Sequence, residues 1–162
     1  MTAKTPKQIA RHFRAMVFGG NSTGVCLKDA LEDVNWLQAT TSVHKLNTIA
    51  VLVFHIHYYI VAVKEVLQAK PLNAHDKYSF DAPAITSEKE WQHLISKVYA
   101  DVEATTLLIE GLPDEQLWED FVLEKYGNYY RNLHGVIEHS HYHLGQISLI
   151  KKILTRETQS GK

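Results

Sequence analysis

Two histidines four residues apart, His139 and His143, are the residues of this sequence best placed to do chemistry. On an α-helix they stand one turn apart on one face, with Cβ atoms about 5–6 Å from each other, so both imidazoles can reach a single metal ion. A third histidine, His55, shares a helical stripe with Thr48, Val51, Leu52, Tyr59 and Ala62, the face expected to look inward. His55 falls near the middle of its helix and the pair near the middle of theirs, so adjacent helices bring all three to a common depth. Neutral imidazole binds zinc, nickel, iron or copper well, and three protein ligands leave a coordination position for water or substrate. An ion held in this way lowers the pKa of a bound water or thiol, or polarises a carbonyl. The competing reading is a set of hydrogen-bonded core histidines, because a buried imidazole is costly unless bonded or ligated.

The remaining histidines read differently. His57 and His141 point away from the ligand faces by the same periodicity, which predicts surface or interface positions, and His12, His44, His75, His93 and His134 receive the same reading. Glu90-x-x-His93 and Glu138-x-x-His141 match the spacing used by di-iron carboxylate bundles. The companion carboxylates are missing: the first helix has no acidic residue from Thr5 to Phe18, and the second has none between Thr48 and Lys64. The stretch from Gly19 to Gly24 lacks the Gly-Lys-Ser/Thr of a phosphate loop and reads as a helix end and turn. Cys26 has no base beside it in sequence and reads as a buried or incidental thiol.

Four long helices must position these groups. Thr5 and Pro6 suit an N-cap and first helical position, and Ile9, Phe13, Met16 and Val17 recur at helical spacing until Gly19-Gly20. Leu27, Leu31, Val34 and Leu37 predict a short helical segment before a second long helix, from about Val43 to Lys70, that ends at Pro71. That second helix is apolar on nearly all sides, as expected of a helix enclosed by neighbours or by a second subunit. Residues 71–86 read as an ordered flap carrying Tyr78 and Phe80. Ser87 and Glu90 form a capping-box pattern for a third helix, whose inner face runs Trp91, Leu94/Ile95, Val98, Val102, Thr105 and Ile109 to Gly111. A connection containing Phe121, Val122 and Leu123 leads to Gly127-Asn128 and a last helix with Leu133, Val136/Ile137, Leu144, Ile147, Ile150/Lys151 and Leu154 inward. With no internal repeat and no β-type alternation, the fold class is all-α, a four-helix bundle with long connections.

Composition narrows the function classes. The chain is 162 residues long and 45% hydrophobic, which fits one domain over residues 1–162 with its core at about 6–154. A formal net charge of −1, spread along the chain, leaves no electrostatic footprint for nucleic acid or an anionic membrane surface. The apolar run from Ile49 to Val63 is interrupted by His55 and His57 and falls short of a membrane span, so no membrane partner is expected. One cysteine and the polar start Met1-Thr2-Ala3-Lys4, which lacks the apolar stretch of a secretory signal, point to the cytoplasm.

The run Tyr126 to Ile147, with His139 and His143 followed by Gly145-Gln146-Ile147, resembles the histidine motif of the DinB/YfiT-like superfamily. Asn47 to Ile60, with His55, is similar to that family's second helix, and the likeness extends from about Pro6 to Leu154. The resemblance implies a four-helix bundle with His55, His139 and His143 as ligands of a divalent transition metal, zinc or nickel first. It also implies a metal-dependent enzyme on a small-molecule substrate, either an S-transferase using a low-molecular-weight thiol or a hydrolase, and a homodimer. Arg131, Asn132, Tyr59 and Gln146, together with Tyr58, are the expected lining of the opening and the candidate cofactor-binding residues. The alternative is a non-catalytic module, a structural or sensing metal-binding bundle or an interaction dimer. An enzyme predicts an open coordination position beside a cavity; a structural module predicts a filled shell and none.

Overall fold

A computed structural model describes residues 4–160 and the side chains of residues 4–156; Met1 to Ala3 of the polar start lie outside the described residues. Six α-helices follow in order: α1 Thr5–Phe18, α2 Leu27–Leu31, α3 Trp36–Thr40, α4 Ile49–Leu67, α5 Glu88–Glu110 and α6 Tyr129–Ser160. Single 3-10 turns interrupt the connections at Asp76–Tyr78, Glu115–Trp118 and Glu124–Tyr126. Among the described residues the only β pairing is an isolated bridge between Asp120 and Asn128, so the chain is all-α.

The four long helices sit where the hydrophobic spacing predicts, but their ends are decided by local chemistry. The N-cap of α1 is Lys4 rather than Thr5, and the Thr5 N–H is taken instead by Asp114 Oδ1 at 3.1 Å. The segment expected to run through Leu37 breaks after Leu31, because Asn35 and Gln38 form a reciprocal capping box that starts α3. The break resets the helical phase and leaves Leu37 58% exposed, whereas Leu27, Leu31 and Val34 are buried as expected. The second long helix begins at Ile49, not Val43: His44 and Lys45 adopt left-handed φ values of 46° and 62°, and the Thr48 hydroxyl caps Val51 N–H. Only half of the predicted box forms on α5, since Ser87 Oγ accepts from Glu90 N–H while the Glu90 carboxylate accepts from Thr86 N–H and Oγ1–H.

Packing runs round the long helices: α1 lies against α5 and α6, and α4 lies against the same two. Phe13, Trp91, Ile56, Leu133 and Ile147 are fully buried between them, each such side chain contributing about 1.5–3 kcal/mol relative to exposure. The Trp91 indole N–H does not go unpaired in this core; it donates to Val34 O at 2.7 Å and ties α5 to the α2–α3 link. Helix α4 continues past Val63 to Leu67, which makes it long and apolar enough to cross a membrane by length and composition, yet 56% of that stretch is buried inside the protein.

Helix α4 ends in a Schellman motif: Lys70 N–H bonds Glu65 O, Ala69 N–H bonds Val66 O, and Ala69 takes φ 58°. A left-handed alanine costs about 1–2 kcal/mol, partly offset by the extra chain entropy that glycine loses on folding. Ala69→Gly is therefore expected to stabilise the fold by about 0.5–1 kcal/mol, read as a rise in urea midpoint at constant m; an unchanged or lower midpoint refutes it.

Candidate metal centre

His55 leaves the middle of α4 and His139 and His143 leave the middle of α6, and the contact between these helices brings the three rings to one point. His139 Nε2 lies 2.9 Å from His55 Nε2 and 3.1 Å from His143 Nε2. One ligand nitrogen from each ring falls within 4.8 Å of the others. A tetrahedral ion about 2.0–2.1 Å from each nitrogen would hold them roughly 3.3 Å apart; the two separations from His139 lie within a few tenths of an ångström of that, while the third edge, bounded by 4.8 Å, closes by rotation of the His55 and His143 rings when an ion enters. His55 and His143 are buried and His139 is half-buried.

The outer nitrogens fix which atoms face inward. His55 Nδ1 meets the Ser79 carbonyl at 3.1 Å and His143 Nδ1 meets Gln146 Oε1 at 2.7 Å. Both partners are acceptors, so both rings carry their proton on Nδ1 and turn an Nε2 lone pair toward His139. His139 Nδ1, in contrast, is buried with no hydrogen-bond partner. A proton on His139 Nε2 serves one of the two facing lone pairs well and leaves the other opposed, whereas a single cation satisfies all three. Burial, followed by the charges His143 and His55 would carry, pushes His139 down to about 4. Burial also lowers His55. At neutral pH these two rings are therefore in the uncharged form that ligates metal.

The flap supplies part of this arrangement. The phenol of Tyr59 donates to Asp76 Oδ1 at 2.6 Å, Ser79 Oγ donates to Asp76 O, and the Phe80 ring stacks on His55 at 3.8 Å. Residues 76–80 thus form the ordered cover read from the loop composition, with buried Ser79 offering its carbonyl. Sequence reasoning missed Ser79 and Asp76 as supports of the site; a main-chain acceptor has no residue signature. Gln146 carried a readable signal, its position three residues after His143 on one helical face.

A cavity of about 670 Å³ opens beside His139, and its lining includes Tyr59, Arg131, Asn132, Asp76, Lys125 and Glu138. The Arg131 guanidinium makes no hydrogen bond or ion pair among the described residues, and its Cδ lies where a Cβ on Gly127 would come within 2.9 Å, so Gly127 leaves room for it. Asn132 is less available, since its amide donates to Tyr126 O and Asn128 O and stitches the start of α6. Gln146 does not line this cavity; it orients His143. Tyr58 also lies elsewhere, exchanging hydrogen bonds with the main chain of His75.

His57 overturns its surface reading. It is 8% exposed and its Nε2 bonds Asp101 Oδ2 at 2.6 Å, while Asp101 Oδ1 pairs with Lys64. The reason is that α4 is enclosed: pointing away from α6 means pointing at α5. His141 is half-buried, its Nδ1 bonded to Ile137 O and its Nε2 without a partner. His12, His44, His75 and His93 are exposed, His134 is half-buried, and Cys26 is a buried free thiol whose pKa burial raises. Comparison with protein-family models, with curated proteins and with solved structures gives no match, so the functional argument rests on this geometry.

Proposed function

We propose that the chain is a metal-dependent enzyme that holds a divalent transition metal, zinc or nickel, at His55, His139 and His143 and acts on a small molecule in the adjoining cavity. The observation that carries this is the convergence of three Nε2 atoms, two with lone pairs fixed by acceptors behind them, around a point that only a cation satisfies fully. We read the four long helices as a bundle of the DinB/YfiT-like kind, which places transfer of a low-molecular-weight thiol first and hydrolysis second. When bound, such an ion supplies thiolate or hydroxide at neutral pH by lowering the pKa of the coordinated thiol or water.

The residues have separable parts in this reading. Ser79 and Gln146 hold the tautomers of His55 and His143, and Phe80 covers His55. Tyr59, whose phenol pKa is raised by burial and by Asp76, stays protonated beside His139. Arg131 and Lys125 present positive charge to whatever occupies the cavity. The cavity beside the site favours the enzyme over a purely structural bundle, whose coordination shell would be closed.

The deciding experiment is metal analysis of untagged protein by inductively coupled plasma mass spectrometry, followed by assays of several small thiols with a generic electrophile on loaded and chelated protein. About one transition-metal ion per chain and thiol conjugation only when loaded are expected. Absence of metal after reconstitution refutes the site, and metal-indifferent conjugation refutes the thiol mechanism.

A further inference from the structure

A second cavity, of about 760 Å³, lies on the other side of α4 from the three histidines, between α4, α5 and the segment Ala82–Ile85. Its volume falls within the range of small-molecule sites. Phe54, Pro83, Ile85 and Leu94 give it apolar walls. The polar groups that meet there are unevenly engaged. His57, more than nine-tenths buried, gives its Nε2 proton to Asp101, which leaves the Nδ1 lone pair with no partner among the described residues. Lys97 stands close enough to His57 to act on its charge and makes no ion pair or hydrogen bond among the described residues. The acid in the lining, Glu90, is already bonded by the N–H and hydroxyl of Thr86. Lys89 adds a further positive charge. A smaller cavity of about 260 Å³ shares Phe54, His57 and Lys97 with the first, so the groove continues along α4 with this polar pair at its middle.

From this we infer a second ligand site, distinct from the metal centre, that binds a small organic anion with an apolar body: the body lies against Phe54, Ile85 and Leu94, and the anionic group meets Lys97. A donor beside that group, such as a hydroxyl or N–H, has His57 Nδ1 to receive it. The separation from the first site follows from helical geometry, since His55 and His57 are two positions apart on α4 and face different neighbours. Apolar area supplies affinity and the unpaired ammonium supplies the preference for an anion, because a charge-assisted hydrogen bond is stronger than a neutral one and Lys97 gives up no partner among the described residues to make it.

The test uses chelated wild-type protein and two fluorescent probes of one ring system, 1-anilinonaphthalene-8-sulfonate and its neutral counterpart N-phenyl-1-naphthylamine. The sulfonate is expected to bind at one site per chain about tenfold more tightly than the neutral probe. Lys97→Ala, an exposed position whose loss does not disturb the core, is expected to remove that advantage while leaving the neutral probe unchanged, and Lys97→Arg to restore most of it. Amide shifts on sulfonate binding are expected around Phe54, His57 and residues 82–85. Equal affinity for the two probes, no binding, an advantage that survives Lys97→Ala, or shifts confined to another face each overturn the proposal. None of these outcomes depends on whether the three histidines hold a metal.

Discussion

Replacing His139 with alanine is expected to abolish stoichiometric metal binding. His139 is the ring that the other two face, with both partner nitrogens near 3 Å, so its loss leaves two ligands that no longer share an ion. Structural zinc sites bind with about 10–16 kcal/mol over four ligands, so one ligand is worth roughly 3 kcal/mol, more than a hundredfold in affinity. Competition with a chromophoric chelator and metal analysis of the purified variant measure this. His143→Ala should behave alike, whereas His141→Ala should keep its ion, because its Nδ1 is turned back to Ile137 O in the preceding turn. Equal losses from all three would show that the facing of α6 is wrong. The same change should cost the metal-free fold only about 1 kcal/mol, since the half-buried ring gives up one Nε2 hydrogen bond while its buried Nδ1 has no partner to lose. That combination, binding lost and apo stability largely kept, separates a ligand from a merely structural core histidine.

Asp101→Ala is the substitution expected to damage the fold most specifically. The carboxylate answers two groups on α4, His57 Nε2 and Lys64 Nζ, with side chains only 10–20% exposed. Removing one partner of a buried charged network costs about 3–5 kcal/mol; with the residual exposure here, about 2–3 kcal/mol is expected from urea unfolding at pH 7. Asp101→Asn keeps the shape and one acceptor and should cost less. A loss below about 0.5 kcal/mol, the scale of an exposed ion pair, would remove the structural role assigned to the network. The pH dependence has a definite sign. Burial lowers His57 below its ordinary value despite Asp101, so the unfolded chain binds the proton first and stability falls as pH drops from about 6.5. Burial pushes the Asp101 carboxyl up, but hydrogen bonds from Lys64 and His57 outweigh it and leave the carboxyl below its ordinary range. Its contribution is present above about pH 4 and is lost as pH falls through the lowered folded value. Both groups therefore destabilise the protein on acidification, in successive windows.

The sequence was most legible where period and chemistry coincide. His55, Thr48, Leu52 and Tyr59 share one stripe of α4 and His139 and His143 one stripe of α6, and the three rings do meet. It was least legible where a rule for one-sided helices was applied to an enclosed one: His57 lies off the stripe and is still buried, because α4 has a neighbour on that side too. Helix bounds failed for local reasons. Val43 is buried as a helical residue would be, yet the left-handed His44 and Lys45 postpone the helix to Ile49, and Asn35 restarts the chain in a phase that exposes Leu37. Gln146, expected at the cavity from its place on α6 alone, instead stands behind His143 on the side away from the other two rings.

The supports behind the ligands differ in how readily mutation can reach them. Behind His143 stands the Gln146 side chain, which one codon change can delete. Behind His55 stands the Ser79 carbonyl, which every residue type carries, so no substitution at position 79 removes the acceptor unless it also moves the loop. Variation in this lineage can therefore tune His143 one residue at a time, while the hold on His55 changes only with the path of the flap.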